Sequence, residues 1–88
     1  MSASGRPIAW SALEKGTPVF ASDGTELGKV TEVVADEQKD IFSGVAFRSG
    51  LLDSESFAPA ERIEAITDEG VRLALGVEES ASLGTYER

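Results

Sequence analysis

The chain contains no cysteine and no histidine. The first absence removes disulfide staples and thiolate nucleophiles, and the two together remove imidazole bases and nearly every transition-metal site. A serine or threonine nucleophile would then need a lysine or a carboxylate as its base, and no Ser-x-x-Lys spacing occurs. Enzymatic activity is therefore not expected. Basic residues are also scarce: eight Lys and Arg stand against sixteen Asp and Glu, for a formal net charge of −8. That sign repels phosphate backbones, so no direct nucleic-acid contact is expected. Long apolar runs are missing too. Residues 1–15 show no basic region followed by an apolar one, and no stretch approaches the ~20 apolar residues of a membrane helix. The expectation is a cytoplasmic protein without membrane insertion.

What the sequence does contain suits one small domain: 88 residues, 41% of them apolar and 27% charged. A chain of this size buries about 60% of its extended surface, so its core is modest. Without disulfides, compact closure or self-association becomes the expected source of extra stability.

Residues 2–7 are small, polar and aperiodic, and read as a flexible leader before ordered sequence at Ile8. Ser11-Ala12-Leu13-Glu14 has capping-box spacing, and Gly16 ends it, which predicts one helical turn between Trp10 and Lys15. Thr17-Pro18-Val19-Phe20 follows as a strand in which Pro18 suits an edge position. Asp23-Gly24 then supplies the positive φ of a tight hairpin turn. Leu27, Val30, Val33 and Val34 fit a helical face as well as a strand. The β-branched side chains, and a cost of ~1 kcal/mol for Gly28 in a helix relative to Ala, favour a strand with a bulge or bend at Gly28.

A polar turn, Asp36-Glu37-Gln38-Lys39-Asp40, leads into a strand whose Ile41, Val45 and Phe47 are expected on one face. Residues 51–58 read as a further strand or wide loop anchored by Phe57, and Pro59-Ala60 breaks the ladder. Ile63 and Ile66 are expected to tuck inward, and Val71, Leu73 and Leu75 alternate as a final strand. From Gly76 the pattern stops. The expected organisation is a leader at 1–7, a domain at 8–75 and an acidic flexible tail at 76–88. Five or six short antiparallel strands with bend-permitting glycines predict an all-β chain with minor α content. They curl into a small closed or partly open β-barrel with a short N-terminal helical turn. A flat meander with one helix is the alternative.

Several segments in this pattern resemble the PRC-barrel domains, the family named after the photosynthetic reaction centre H subunit. They are Gly16-Thr17-Pro18-Val19, Asp23-Gly24-Thr25-Glu26-Leu27-Gly28-Lys29-Val30 and Val33-Val34-Ala35-Asp36. Phe57-Ala58-Pro59-Ala60-Glu61-Arg62-Ile63 with Val71-Arg72-Leu73 looks like the domain's closing half. The likeness covers about residues 13–75. It implies a small barrel used as an adaptor or assembly surface, with relatives in the H subunit and in the C-terminal domain of the 16S rRNA processing factor. No membrane anchor like that of the H subunit is visible, and residues 1–12 are too few for a second barrel, so a free-standing member is expected. The resemblance carries over no catalytic residue and no cofactor.

Other chemistry reads weakly. The segment 24–30 has three residues between its glycines and Val30 after the lysine, which fails the phosphate-loop spacing. Asp36, Glu37 and Asp40, like Asp53 with Glu55 and Asp68 with Glu69, read as solvated turns without the EF-hand pattern. A barrel that binds a small molecule or hard cation remains the alternative function. Charge is distributed unevenly: residues 1–31 balance three basic against three acidic side chains, whereas residues 32–88 hold five against thirteen. A protein partner chosen by charge is therefore basic. Trp10, Phe42, Leu51 and Leu52 are the apolar residues hardest to place inward, and they are the candidate protein-contact residues. An exposed patch of this kind also suits a homodimer.

Overall fold

The computed structural model describes residues 6–36, 38–39, 41–48, 55–80 and 82–84. A 3-10 turn at Trp10–Ala12 precedes strands β1 (Pro18–Phe20), β2 (Glu26–Asp36), β3 (Ile41–Arg48) and β4 (Glu55–Pro59). A second 3-10 turn, Ala60–Arg62, leads into β5 (Ile63–Thr67) and β6 (Gly70–Leu73), and a single-turn helix α1 spans Val77–Ser80. The six strands form one sheet in the order β4-β3-β2-β1-β6-β5.

The chain is mostly β as expected, but the sheet is mixed rather than antiparallel: β1 pairs in parallel with β6, with Val19 opposite Val71 and Phe20 opposite Arg72. Of the closed and partly open forms expected, the structure has the open one, with β4 and β5 as its edges. The pairing senses explain both features. Strands β1 to β4 form an antiparallel meander, and the β5–β6 hairpin lies with β6 parallel to β1. Strands β4 and β5 therefore run in the same sense, and the chain passes from one sheet edge to the other without reversing. Three residues of 3-10 turn advance the chain about 6 Å, so the two edges meet at that corner and the sheet must curl. Pro59, which has no N–H, ends the pairing of β4 there.

Extra residues in the strands explain the apolar spacings of three. Val19 faces Gly28 and Phe20 faces Glu26, so Leu27 is the extra residue, one position before the expected bend at Gly28. Val30 faces Phe47 and Glu32 faces Ala46, so Thr31 is a second. Each one resets which face follows, and Leu27, Val30 and Val33 all reach the core. Glu64 does the same in β5, where Ile63 faces Leu73, Ala65 faces Arg72, and both Ile63 and Ile66 pack inward. In β3 the extra residue is Ser43. It turns Phe42 toward the core and leaves Ile41 51% exposed, correcting the expectation that Ile41 shares a face with Val45 and Phe47.

Local turn chemistry divides in the same way. The Asp23-Gly24 turn forms as expected, with Gly24 at φ 93° and the Asp23 carboxylate accepting the Thr25 N–H at 2.9 Å. The Ser11–Glu14 capping box does not form. The first 3-10 turn starts from Ala9 with no side-chain cap, and Leu13 already has extended backbone, so the box has no helical turn to close. The turn is held by Ala12 N–H to Ala9 and Leu13 N–H to Trp10, each 3.0 Å.

Inward side chains of the curled sheet form the core. Val19, Val45, Ala58, Val71 and Leu73 are fully excluded from solvent, joined by Val30, Phe47, Leu13 and Leu75. Both sheet edges are also covered. Beside β5, Ile8 N–H donates to Ile66 and Asp68 N–H to Arg6, each at 3.0 Å, while Phe57 N–H of β4 donates to Gly84 at 2.9 Å. Leu83 packs against the core beside that last bond. Backbone pairing therefore extends from Arg6 to Gly84, past the Ile8 and Leu75 limits of the sequence pattern.

Candidate docking groove

No polar side chain is buried among the described residues, so the groups available for recognition lie on the outside. Two of the four candidate contact residues meet there. The Trp10 and Phe42 rings stack with centroids 5.7 Å apart and planes 9° from parallel. Their meeting follows from the seam of the open sheet. The Ile8–Ile66 hydrogen bond holds the chain at the β5 edge, and the 3-10 turn then carries Trp10 across to Phe42 on β3. An offset aromatic stack at this distance contributes about 1 kcal/mol beyond the area it covers.

The bridge roofs one end of a groove of about 590 Å³ whose apolar lining includes Ile8, Trp10, Phe42, Ala60, Ile63 and Ile66. Ile63 and Ile66 serve two purposes, packing on the core and lining the groove floor. Trp10 and Phe42 are half-buried, so each rests on the fold and keeps part of its ring open to solvent. Leu51 and Leu52 lie outside the described residues.

One charged side chain, Glu64, joins this lining, placed there by the β5 bulge. The neighbouring 3-10 turn adds an exposed Glu61 and Arg62. The remaining polar contacts lie elsewhere: Thr31 Oγ1 donates to Glu55, and Arg48 stands 3.8 Å from the same carboxylate. No group of three His, Cys, Asp or Glu side chains converges as metal ligands do among the described residues, and none of their helices is long and apolar enough to cross a membrane.

The curled sheet with its strand bulges and corner turn is matched by a family model, that of the PRC-barrel domain, over residues 15–73. The chain belongs to the PRC-barrel domain family. A search of curated proteins gave no match. The matched span contains all six strands of the PRC-barrel domain, and with them Phe42, Ala60, Ile63 and Ile66. Pro7, Ile8, Ala9 and Trp10 fall outside it, so one wall of the groove belongs to the domain and the other to the segment before it.

Sequence reasoning singled out the two aromatic residues that line the groove and gave no reading of its aliphatic floor. Ile63 and Ile66 carried a signal in their spacing, but it pointed inward and said nothing of a second exposed flank. Ile8 carried no signal, because its position depends on pairing with a strand almost sixty residues away.

Proposed function

We propose that this PRC-barrel protein is a non-enzymatic cytoplasmic adaptor that docks a basic protein segment in the seam groove, with an apolar side chain of the partner seated against Trp10 and Phe42. The observation that carries the reading is the stacked, half-exposed pair roofing an otherwise aliphatic groove. Aromatic side chains in a partly formed pocket are the kind of anchor on which protein interfaces concentrate their energy. Charge supplies the partner's chemistry: Glu64 lines the groove, and the β5 side of it belongs to residues 32–88, which hold thirteen of the sixteen acidic residues. A segment bearing Lys or Arg around a Leu or Phe fits both features, and its association is accelerated at low salt.

The rival occupant is a second copy of the chain. Self-association suits a small core, but it brings another charge of −8 to the same surface.

Trp10 is the single tryptophan, so its emission reports on the groove alone. Titration with a peptide carrying Leu between lysines is expected to shift that emission saturably, with affinity falling as salt rises. The same peptide with glutamates in place of lysines is expected to leave it unchanged. Equal responses to the two peptides, or none to either, would remove the basic-partner reading. A shift that instead follows protein concentration, together with sedimentation as a dimer, would assign the groove to a second copy.

A further inference from the structure

A second hollow lies on the opposite, outward face of the β1–β6–β5 half of the sheet. Phe20, Arg72 and Ala65 stand abreast across those three strands, Phe20 opposite Arg72 and Arg72 opposite Ala65. Their neighbours Val19, Val71 and Leu73 point the other way into the core, so this row faces out. Small residues make the row concave. Gly70 has the Phe20 ring laid against it: a Cβ there would sit 2.6 Å from Phe20 Cε2 and 2.6 Å from the Pro18 carbonyl, at a φ of 153°. Gly70 is paired with Thr67, so between Phe20 and Thr67 the floor carries no side chain, and Ala65 beside Arg72 adds only a methyl group. The resulting cavity is about 340 Å³, walled by Phe20, Thr67, Arg72, Glu64 and Glu69.

The charges in that cavity are arranged unusually for so acidic a protein. Arg72 is half-buried, and its guanidinium makes no hydrogen bond or ion pair among the described residues. Glu64 and Glu69 line the same hollow, yet neither comes within ion-pair distance of it. Glu64, at the β5 bulge, stands on the border between this hollow and the seam groove, and Glu69 lies in the turn before β6, so the fold holds positive and negative groups on one hollow with no ion pair between them. A guanidinium fork recognises a carboxylate, and a pair of glutamates recognises an ammonium. The volume is at the low end for small-molecule sites, enough for one compact molecule and too little for a length of chain.

We propose that this hollow binds a small zwitterion, a free α-amino acid with an apolar side chain. Its carboxylate lies on Arg72, its ammonium faces Glu64 and Glu69, and its side chain rests on the Phe20 ring. The hollow borders the seam groove, sharing Glu64 and Ala65 with it, but Phe20, Glu69 and Arg72 belong to the hollow alone and its test does not rest on the docking function.

The test uses the full chain, labelled with 15N, and L-leucine as probe. Saturable shifts are expected at the amides of Gly24, Gly70 and Arg72, with no change in Trp10 emission. N-acetyl-leucine, which lacks the ammonium, and leucinamide, which lacks the carboxylate, are each expected to bind about tenfold more weakly. Arg72→Gln is expected to weaken leucine by a similar factor and to leave leucinamide unaffected. The two analogues test the proposal on the unaltered protein, so it does not depend on the variant's folding. Absence of saturable shifts up to about 10 mM leucine would overturn it. So would N-acetyl-leucine binding as tightly as leucine, which would make the hollow a simple anion site.

Discussion

The inner face of the sheet and its seam are built from the same kinds of residue, yet they end in different states. On the inner face, Val19, Val45 and Val71 are flanked on both sides by paired strand residues and Leu73 is paired with Ile63 of β5, and each is completely removed from solvent. At the seam the sheet has no further strand to add. Ile63, Ile66 and Phe42 pack on the core from one side and are bordered on the other by the non-strand stretch that carries Ile8 and Trp10. Continuous strand pairing turns apolar residues into core. Where pairing stops, the same residues become a half-covered surface held in a defined shape, which suits docking because little ordering cost remains when a partner arrives.

The sharpest way to break this comparison is to cut equally into both regions. Leu73→Ala removes a fully buried side chain from the inner face and is expected to cost about 3 kcal/mol, read as a lower urea midpoint. Gly44→Ala attacks the same face from the backbone. Gly44 lies opposite Pro59 at φ 151°, and an added Cβ would clash with the Ala58 carbonyl and stand 2.9 Å from Pro59 Cα. It is expected to cost about 2 kcal/mol. Phe42→Ala at the seam is expected to cost about 1 kcal/mol, and to abolish the response of Trp10 to the basic peptide. Were Phe42→Ala to destabilise as much as Leu73→Ala, the seam would be ordinary core and the distinction would fail. A double-mutant cycle of Trp10→Ala with Phe42→Ala sharpens it further, with an expected coupling near 1 kcal/mol.

The same division governs what could be read from the sequence. Strict alternation at Val71, Leu73 and Leu75 and the Asp23-Gly24 turn depend on neighbours within a few residues, and both were legible, although β6 itself ends at Leu73 and Leu75 is buried beyond it. The spacing of Leu27, Val30 and Val33 resembled a helix because bulges insert one residue at a time into a period of two, and three is the sum in either reading. β-branching decided for strand correctly, but the positions of the extra residues depend on the partner strands. In β3 that dependence hid Ile41, which a simple period of two puts inside and the Ser43 irregularity puts out. The parallel β1–β6 pair was illegible for a plainer reason: its partners lie about fifty residues apart and are joined by no local turn. Of the groove, the aromatic pair stood out as unplaced apolar residues, whereas Ile8 acquires its role through a hydrogen bond to Ile66 that nothing near Ile8 foreshadows.

The smallest effect is expected at the exposed extreme, in the β1–β2 turn. Bonding from the Thr25 backbone N–H, and then from its hydroxyl, holds the Asp23 carboxyl below its usual range. A carboxyl whose folded value is lowered adds stability above its unfolded value and loses it as pH falls through the folded one. At neutral pH the wild-type chain is therefore expected to be slightly more stable than Asp23→Asn, which keeps an acceptor for Thr25 but not its charge. The difference should disappear in acid, once the carboxyl is protonated. Paired urea titrations at neutral and acidic pH measure that difference, and NMR titration of the Asp23 carboxyl measures its cause. A carboxyl titrating at or above the ordinary aspartate value would show that the turn is held by Gly24 and the strand pairing alone, and that this end of the hairpin owes nothing to the charge.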